Sequence, residues 1–258
     1  MADATSISLE TTEDALLGGR VKLLQPRSGY RVAIDPVLLA ASVEAAPGER
    51  ILDVGAGVGA IGLCLVARLG DVFVQGVEVQ PELVALAAHN AQHNGWLDFM
   101  STAQHDIESS TIAPYVAERL LPESYDQVVT NPPYLPAQSA NRPLDRIRAI
   151  STVESTADLA AWLHFCLNRL KSGGLLTMVH RADRLGEILA LLKGRAGETV
   201  ISPLWPGPGK DAHRVIVRAR KGSDTPPRLA AGLLLHDGAE KYTAAAERVL
   251  REAEALKI

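Results

Sequence analysis

From about residue 50 onward, short apolar runs alternate with segments whose apolar residues recur at helical spacing. Arg50–Val54, Asp71–Val79, Leu97–Gln104, Tyr125–Thr130 and Leu175–His180 read as strands. Between them, helices are expected from the glycines after Val54 to Leu69, from Pro81 to Asn94 and from Thr156 to Lys171, the last stopped by Ser172-Gly-Gly174, and a further helix runs to about Gly194. Strands alternating with helices predict an α/β fold with a parallel sheet. Thr199–Trp205 and Arg214–Arg220 read as two more strands, and Thr243–Leu256 as an amphipathic helix packed as a tail. Upstream, Arg20–Gln25 and Tyr30–Ile34 predict a hairpin about Pro26–Gly29. A helix then opens with Asp35 as N-cap and Pro36 in its first position, where the missing N–H costs nothing. Residues 1–14 are small and polar and are expected to be disordered. The remainder reads as one domain, 15–258, made of an N-terminal segment 15–48, a core 49–221 and a C-terminal extension 222–258.

Composition narrows the class without naming it. The chain has 258 residues, 47% hydrophobic and 22% charged, with a formal net charge of -4, so any nucleic-acid contact must rest on local basic patches. Arg20, Lys22, Arg27 and Arg31 make one such patch, and Arg142, Arg146 and Arg148, in a polar loop from Leu135 to about Ser155, make another. The two cysteines, Cys64 and Cys166, sit in apolar helical patterns and read as buried thiols of a reducing compartment. His180, His213 and His236 are scattered without metal-ligand spacing, so no metal is expected. Met1–Thr12 has no basic region followed by an apolar core, and no apolar run is long enough for a bilayer. A cytoplasmic protein without membrane contact, monomer or homodimer, is the expectation.

The candidate chemistry lies at the carboxyl ends of the strands, which share one crevice in an open parallel sheet. After the first strand, Gly55-Ala-Gly-Val-Gly59 allows tight turning and close approach of a ligand to the next helix. With Ala60 the run also fits a dinucleotide-binding loop, and Glu78, at the end of the second strand, suits the ribose of NAD or of S-adenosylmethionine. Asp53 tips the balance: just before the first glycine, a carboxylate repels a pyrophosphate but suits a zwitterionic amino-acid tail. Asp106 follows the third strand, placed for an adenine amine, or else forms a turn there. The fourth strand delivers Thr130-Asn-Pro-Pro-Tyr134. The Asn131 side-chain carbonyl and the Pro132 main-chain carbonyl can accept hydrogen bonds from a flat NH₂ group, Pro132 and Pro133 stiffen the turn, and Tyr134 can stack on the ring that carries the amine. An Asn-Pro pair is also an ordinary loop starter; the ordered succession of loop, Glu78, Asp106 and Asn131 is what carries specificity.

That succession resembles the class I S-adenosylmethionine-dependent methyltransferases, and Asn131-Pro-Pro-Tyr134 resembles the signature of those that methylate exocyclic or amide nitrogens. Gly18–Ala40 and Leu234–Thr243 are similar to the terminal segments of the bacterial tRNA(Val) adenine-N6 methyltransferase family. The resemblance implies a Rossmann-like, seven-stranded, mostly parallel sheet with helices on both faces, closed by an antiparallel pair and preceded by a short N-terminal hairpin and helix. It implies that Asp53, Gly55 and Gly57 hold the methionine part of S-adenosylmethionine, Glu78 its ribose, and Asp106 with the Ile107 backbone its adenine. Asn131, which also borders the cofactor, and Pro132 would grip the substrate amine, with Pro133 and Tyr134 completing the catalytic turn. The implied reaction is methylation of adenine N6 in RNA, foremost the anticodon loop of a tRNA, with Arg27, Arg31, Arg142, Arg146 and Arg148 as candidate RNA contacts. A protein glutamine amide presents the same two protons and is the alternative substrate; a NAD-dependent oxidoreductase and an inactive cofactor-binding protein are the alternatives from other classes. Cytosine-5 methylation would need a nucleophilic thiol at the strand ends, where neither cysteine falls.

Overall fold

The computed structural model describes residues 10–28, 31–109, 111–133, 158–238 and 241–258. A hairpin of β1 (Thr11–Leu16) and β2 (Val21–Pro26) leads to α1 (Asp35–Ala41). Then follow β3 (Arg50–Val54), α2 (Ala60–Leu69), β4 (Phe73–Glu78), α3 (Pro81–His93), β5 (Met100–Gln104), α4 (Pro114–Ala117) and β6 (Tyr125–Thr130). The described chain continues with α5 (Leu159–Arg169), β7 (Leu170–Arg181), α6 (Leu185–Leu192), β8 (Ala196–Trp205) and β9 (Arg214–Lys221). It closes with β10 (Arg228–Leu229), β11 (Leu233–Leu234) and α7 (Ala244–Glu252).

The main sheet runs β10-β8-β9-β7-β6-β3-β4-β5, with β11 also on β8. Strands β3 to β7 pair in parallel, and β9 is antiparallel to both β7 and β8, so the expected closing pair is present. Among the described residues the sheet has nine strands rather than the expected seven, because the C-terminal extension adds β10 and β11 in parallel along β8. Each is two residues long and has no periodic pattern that a sequence reading could detect. Alternation divides the sheet between two cores. Ile51, Val129, Val179 and Ile216 face the layer that holds α1, α2, α3 and α7, while Leu52, Val128, Met178 and Val217 face the layer of α5 and α6.

Three local expectations are corrected. The hairpin is formed by Thr11–Leu16 with Val21–Pro26, one strand earlier than expected, so part of the stretch read as disordered is strand; Arg31–Ile34 are not strand. Strand β1, TTEDAL, is too polar to show an apolar alternation, and it is held by pairing with β2 instead. Asp35 is not an N-cap: the cap position is Ile34, and the Asp35 carboxylate reaches across to Arg214 at 3.3 Å. Ser172-Gly-Gly174 does not follow the helix as a free turn but lies within β7, where Gly174 leaves room for the Asp126 carbonyl 2.9 Å from the position of a Cβ.

The two ends of the chain pack together. The Arg20 guanidinium donates to the carbonyls of Leu17 and Arg251 at 2.9 and 2.8 Å, satisfying the C-terminal end of α7, and the Leu256 amide donates to the Ala41 carbonyl at 2.8 Å. Thr243 caps α7 by accepting from the Ala246 amide, as its sequence position suggests. Among the described residues no helix is long and apolar enough to cross a membrane.

Candidate active site

Register places the candidate residues before any side chain is considered. Val54 of β3 pairs with Thr130 of β6 and with Val77 of β4, and Glu78 of β4 pairs with Gln104 of β5. Asn131, Gly55 and Glu78 therefore leave three adjacent strands on one level, each about 4.8 Å from the next. Asp106 follows two residues beyond the same level at the end of β5.

The glycine loop has the conformation its residues allow. Gly55, Gly57 and Gly59 have φ of 76°, 55° and 86°, in the left-handed region that favours glycine. Glu78 closes the loop from the side: its Oε2 accepts from the Gly57 amide at 2.9 Å, and its Oε1 accepts from the amides of Val79 and Gln80, each at 3.0 Å. The Gln80 side chain bonds to the same carboxyl, so Glu78 is held firmly at the edge of the loop. Burial pushes the Glu78 carboxyl above its usual range, against the lowering by these amides.

Asp53 is completely buried at the level just below the loop, on the α2 side of the sheet, and neither of its oxygens has a hydrogen-bond partner among the described residues. Burial first, and the charge of Glu78 second, raise it to about 7; the Gly62 amide is near enough to lower it but not placed to form a good hydrogen bond. An unpartnered buried carboxylate is destabilising, and a cationic amine brought to the loop is the natural partner for it. Asp106 forms the turn considered for it: Oδ1 accepts from the Glu108 amide at 3.0 Å. Ile107 is half-buried against the core beside α5.

The hairpin arginines are already engaged. Arg31 donates to Asp14 at 2.6 Å and to Thr12 at 2.8 Å, and Arg27 lies 3.6 Å from Glu10. With Glu13 also on β1, the acids of that strand offset the patch that sequence alone presents as basic. The candidate residues Tyr134, Arg142, Arg146 and Arg148 lie outside the described residues. The two cysteines are buried, and burial raises the Cys64 thiol to about 12 and the Cys166 thiol further, which removes both as nucleophiles. No group of three or more His, Cys, Asp or Glu arranged for a metal occurs among the described residues.

Three further residues, missed by the sequence reading, support or border the site. Asn90 of α3 is fully buried and satisfies both its donors and its acceptor: it accepts from the Leu24 amide and donates to the carbonyls of Leu24 and Val58 at 2.8, 2.8 and 3.0 Å. Asn94, one turn later, grips the amide and carbonyl of Lys22 in the same way. The i, i+4 rise of a helix nearly matches the i, i+2 rise of a strand, so the two carboxamides pair the outer edge of β2 as a neighbouring strand would. A signal existed: Asn90 stands seven residues after Leu83, where the helical pattern calls for an apolar residue. Trp162, at the start of α5, rests against Gly55 and reaches Thr130; no local pattern distinguishes it from a core aromatic.

The glycines permit a paired test. A Cβ on Gly55 would stand 2.9 Å from Cζ2 of Trp162, whereas one on Gly57 meets nothing within 4 Å among the described residues and would point into open space. Gly55→Ala should cost about 1–3 kcal/mol of stability through left-handed strain and overlap. Gly57→Ala should cost only about 1 kcal/mol yet weaken S-adenosylhomocysteine binding at least as much. Thermal melts with and without that ligand read both, and a Gly57→Ala protein that binds as tightly as wild type would count against this surface of the loop as the cofactor face.

Comparison with known proteins agrees with this geometry. The profile described as "Methyltransferase small domain" matches residues 31–191. A protein of Yersinia enterocolitica named tRNA1(Val) (adenine(37)-N6)-methyltransferase is 30% identical over 203 residues, 77% of each chain. Among solved structures, a predicted O-methyltransferase from Agrobacterium tumefaciens is 27% identical, with a TM-score of 0.70 covering 87% of this chain and 99% of that one. An S-adenosylmethionine-dependent O-methyltransferase from Thermotoga maritima, 19% identical, has a TM-score of 0.52 over 76% of this chain and 67% of that one. Among the described residues, the unpartnered Asp53, the clear space beside Gly57 and the Glu78 carboxyl at the strand end fit the amine, tail and ribose of S-adenosylmethionine. The chain belongs to the methyltransferase small domain family and is an S-adenosylmethionine-dependent methyltransferase.

Proposed function

We propose that the protein methylates the exocyclic N6 amine of an adenine in tRNA, in the anticodon loop. The observation that carries this reading is the position of Asn131 and Pro132, at the end of β6 and level with the glycine loop through the Val54–Thr130 pair. Sequence similarity to the tRNA methyltransferase of Y. enterocolitica supports the choice of RNA over protein.

In this reading Asp53, Gly55 and Gly57 hold the methionine part of S-adenosylmethionine, Glu78 its ribose, and Asp106 with the Ile107 backbone its adenine. The bound cofactor would supply a methyl group activated by a sulfonium, the S–C electron pair staying on sulfur, which would leave as the neutral thioether. The lone pair of an adenine amine is delocalised into the ring, which makes the nitrogen a poor nucleophile. Asn131 Oδ1 and the Pro132 carbonyl accept its two N–H bonds, favour a pyramidal nitrogen and stabilise the positive charge that develops on it. Pro133 keeps the turn rigid, so little reorganisation accompanies the reaction. As the new N–C bond forms, one N–H proton leaves to water, since a methylated anilinium-like nitrogen is strongly acidic. Tyr134 stacks on the base, which must leave its neighbours to enter the crevice; a single-stranded loop makes that cheapest. Arg142, Arg146 and Arg148, with Arg27 and Arg31 in a lesser part, contact phosphates.

The test is incubation of the purified protein with S-adenosylmethionine and tRNA lacking the modification, followed by nucleoside mass spectrometry. N6-methyladenosine is the expected product. Cofactor binding without any methylated nucleoside would reject RNA and turn attention to a protein glutamine amide.

A further inference from the structure

We propose that Trp162 is a positioning residue that sets the distance between the methyl-donor loop and the catalytic turn; this rests on Asn131 carrying the reaction. The β3–β6 ladder ends at the Val54–Thr130 pair. Gly55 and Asn131, the next residue on each strand, are the ones that must hold two reactants in line, and they lie at the last rung of that ladder. Side chains reinforce it there. The Thr130 hydroxyl, fully buried, donates to the Val54 carbonyl at 2.7 Å and accepts from the Trp162 indole N–H at 2.8 Å. The same indole lies edge-on to Gly55, with Cζ2 only 2.9 Å from where a Cβ would stand.

Trp162 thus contacts the residue that follows Val54 and bonds to the residue that precedes Asn131. Its own position is fixed by the first turn of α5, where Asp158 accepts from the Ala161 amide at 2.8 Å and the Trp162 amide bonds to the Asp158 carbonyl. The indole N–H also settles the Thr130 hydroxyl: with a donor on one side, its proton is directed to Val54. A phenyl ring at 162 lacks both the N–H and the outer ring atoms that meet Gly55, so the hydroxyl is free to turn away and its bond to Val54 is no longer fixed. Methyl transfer tolerates little misplacement, so loss of about 1 Å in alignment lowers the rate by up to a hundredfold while binding of each reactant is kept.

The experiment measures kcat and KM with tRNA and S-adenosylmethionine for Trp162→Phe, Thr130→Val, the double variant and Thr130→Ser. Each of the first two should lower kcat about tenfold or more with KM for the cofactor little changed. Because they cut one link, the double variant should be no slower than the slower single one. Thr130→Ser, which keeps the hydroxyl, should recover most of kcat. A Trp162→Phe enzyme within twofold of the wild-type kcat, or losses that multiply in the double variant, would overturn the assignment. If the wild-type protein methylates no nucleoside, the substrate reading has failed, and the indole N–H resonance decides the present one. Assigned by its disappearance in Trp162→Phe, it should shift when S-adenosylhomocysteine binds while those of Trp96 and Trp205 stay in place, and an unmoved Trp162 resonance rejects the coupling.

Discussion

Asn131→Ala should lower kcat for methyl transfer to tRNA by at least two to three orders of magnitude, with the affinity for S-adenosylhomocysteine changed severalfold at most. The magnitude follows from removing one of two groups that interact more strongly with the transition state than with the substrate, for which a factor of about 10²–10³ is typical. Thr130 and its hydroxyl remain to hold the end of β6, and the Pro132 carbonyl remains as the other acceptor, so the fold should persist. Single-turnover rates with saturating cofactor separate the chemical step from binding. A variant whose chemical step runs at the wild-type rate would mean that the amine is gripped elsewhere in the crevice. Asn131→Asp is a useful companion, because it keeps an acceptor of the same size. It should retain more activity than the alanine variant if acceptance of the N–H bond is what matters.

The second large effect is expected from Asp53→Asn, and it has opposite signs with and without cofactor. Burial raises this carboxyl from its ordinary value of 3.8 to about 7 in the folded protein. A carboxyl whose folded pKa is raised favours folding in its protonated form. Stability is therefore greatest below the unfolded value, falls as pH rises from about 4 toward 7, and then levels off. Over that span the ionised group costs on the order of 4 kcal/mol. At pH 8 without ligand, Asp53→Asn should consequently melt higher than wild type, and the gap should close as pH falls to about 4. S-adenosylhomocysteine should reverse the order, since its amine meets an ionised Asp53 and only a neutral amide in the variant. Wild-type affinity should rise with pH through about 7, while that of the variant should stay nearly flat across the same range. Melting curves from pH 5 to 8.5 with and without the ligand are sufficient. An Asp53→Asn protein less stable than wild type at pH 8 in the absence of ligand would show that the carboxylate already has a compensating partner.

Local chemistry was enough for the core of the molecule. The runs around Ile51, Val74, Val128 and Leu176 are buried on both faces, and a parallel strand buried on both faces must be apolar at nearly every position, so each was visible within a few residues. The three loop glycines were legible for a like reason, since left-handed backbone demands glycine, and the places of Glu78 and Asn131 at strand ends followed from the strands themselves. From these the parallel sheet followed; the closing antiparallel pair and the choice of S-adenosylmethionine came with the family resemblance that the ordered motifs carry.

Features made by contacts between distant segments were not visible in this way. Strand β1 is polar and becomes a strand because β2 offers it an edge, while the other edge of β2 is held by Asn90 and Asn94 from about seventy residues away. Strands β10 and β11 exist because β8 has a free side. Asp35, a good cap by position, is drawn instead to Arg214. Arg27 and Arg31 look like phosphate ligands until Glu10 and Asp14 are brought beside them. Trp162 reads as one more core aromatic until folding lays it between Gly55 and Thr130. Side-chain type and local spacing reveal which groups a segment needs to satisfy within itself; which distant group satisfies the rest depends on the packing of the whole chain, and that is where the hairpin, the charge of its surface and the link across the site were settled.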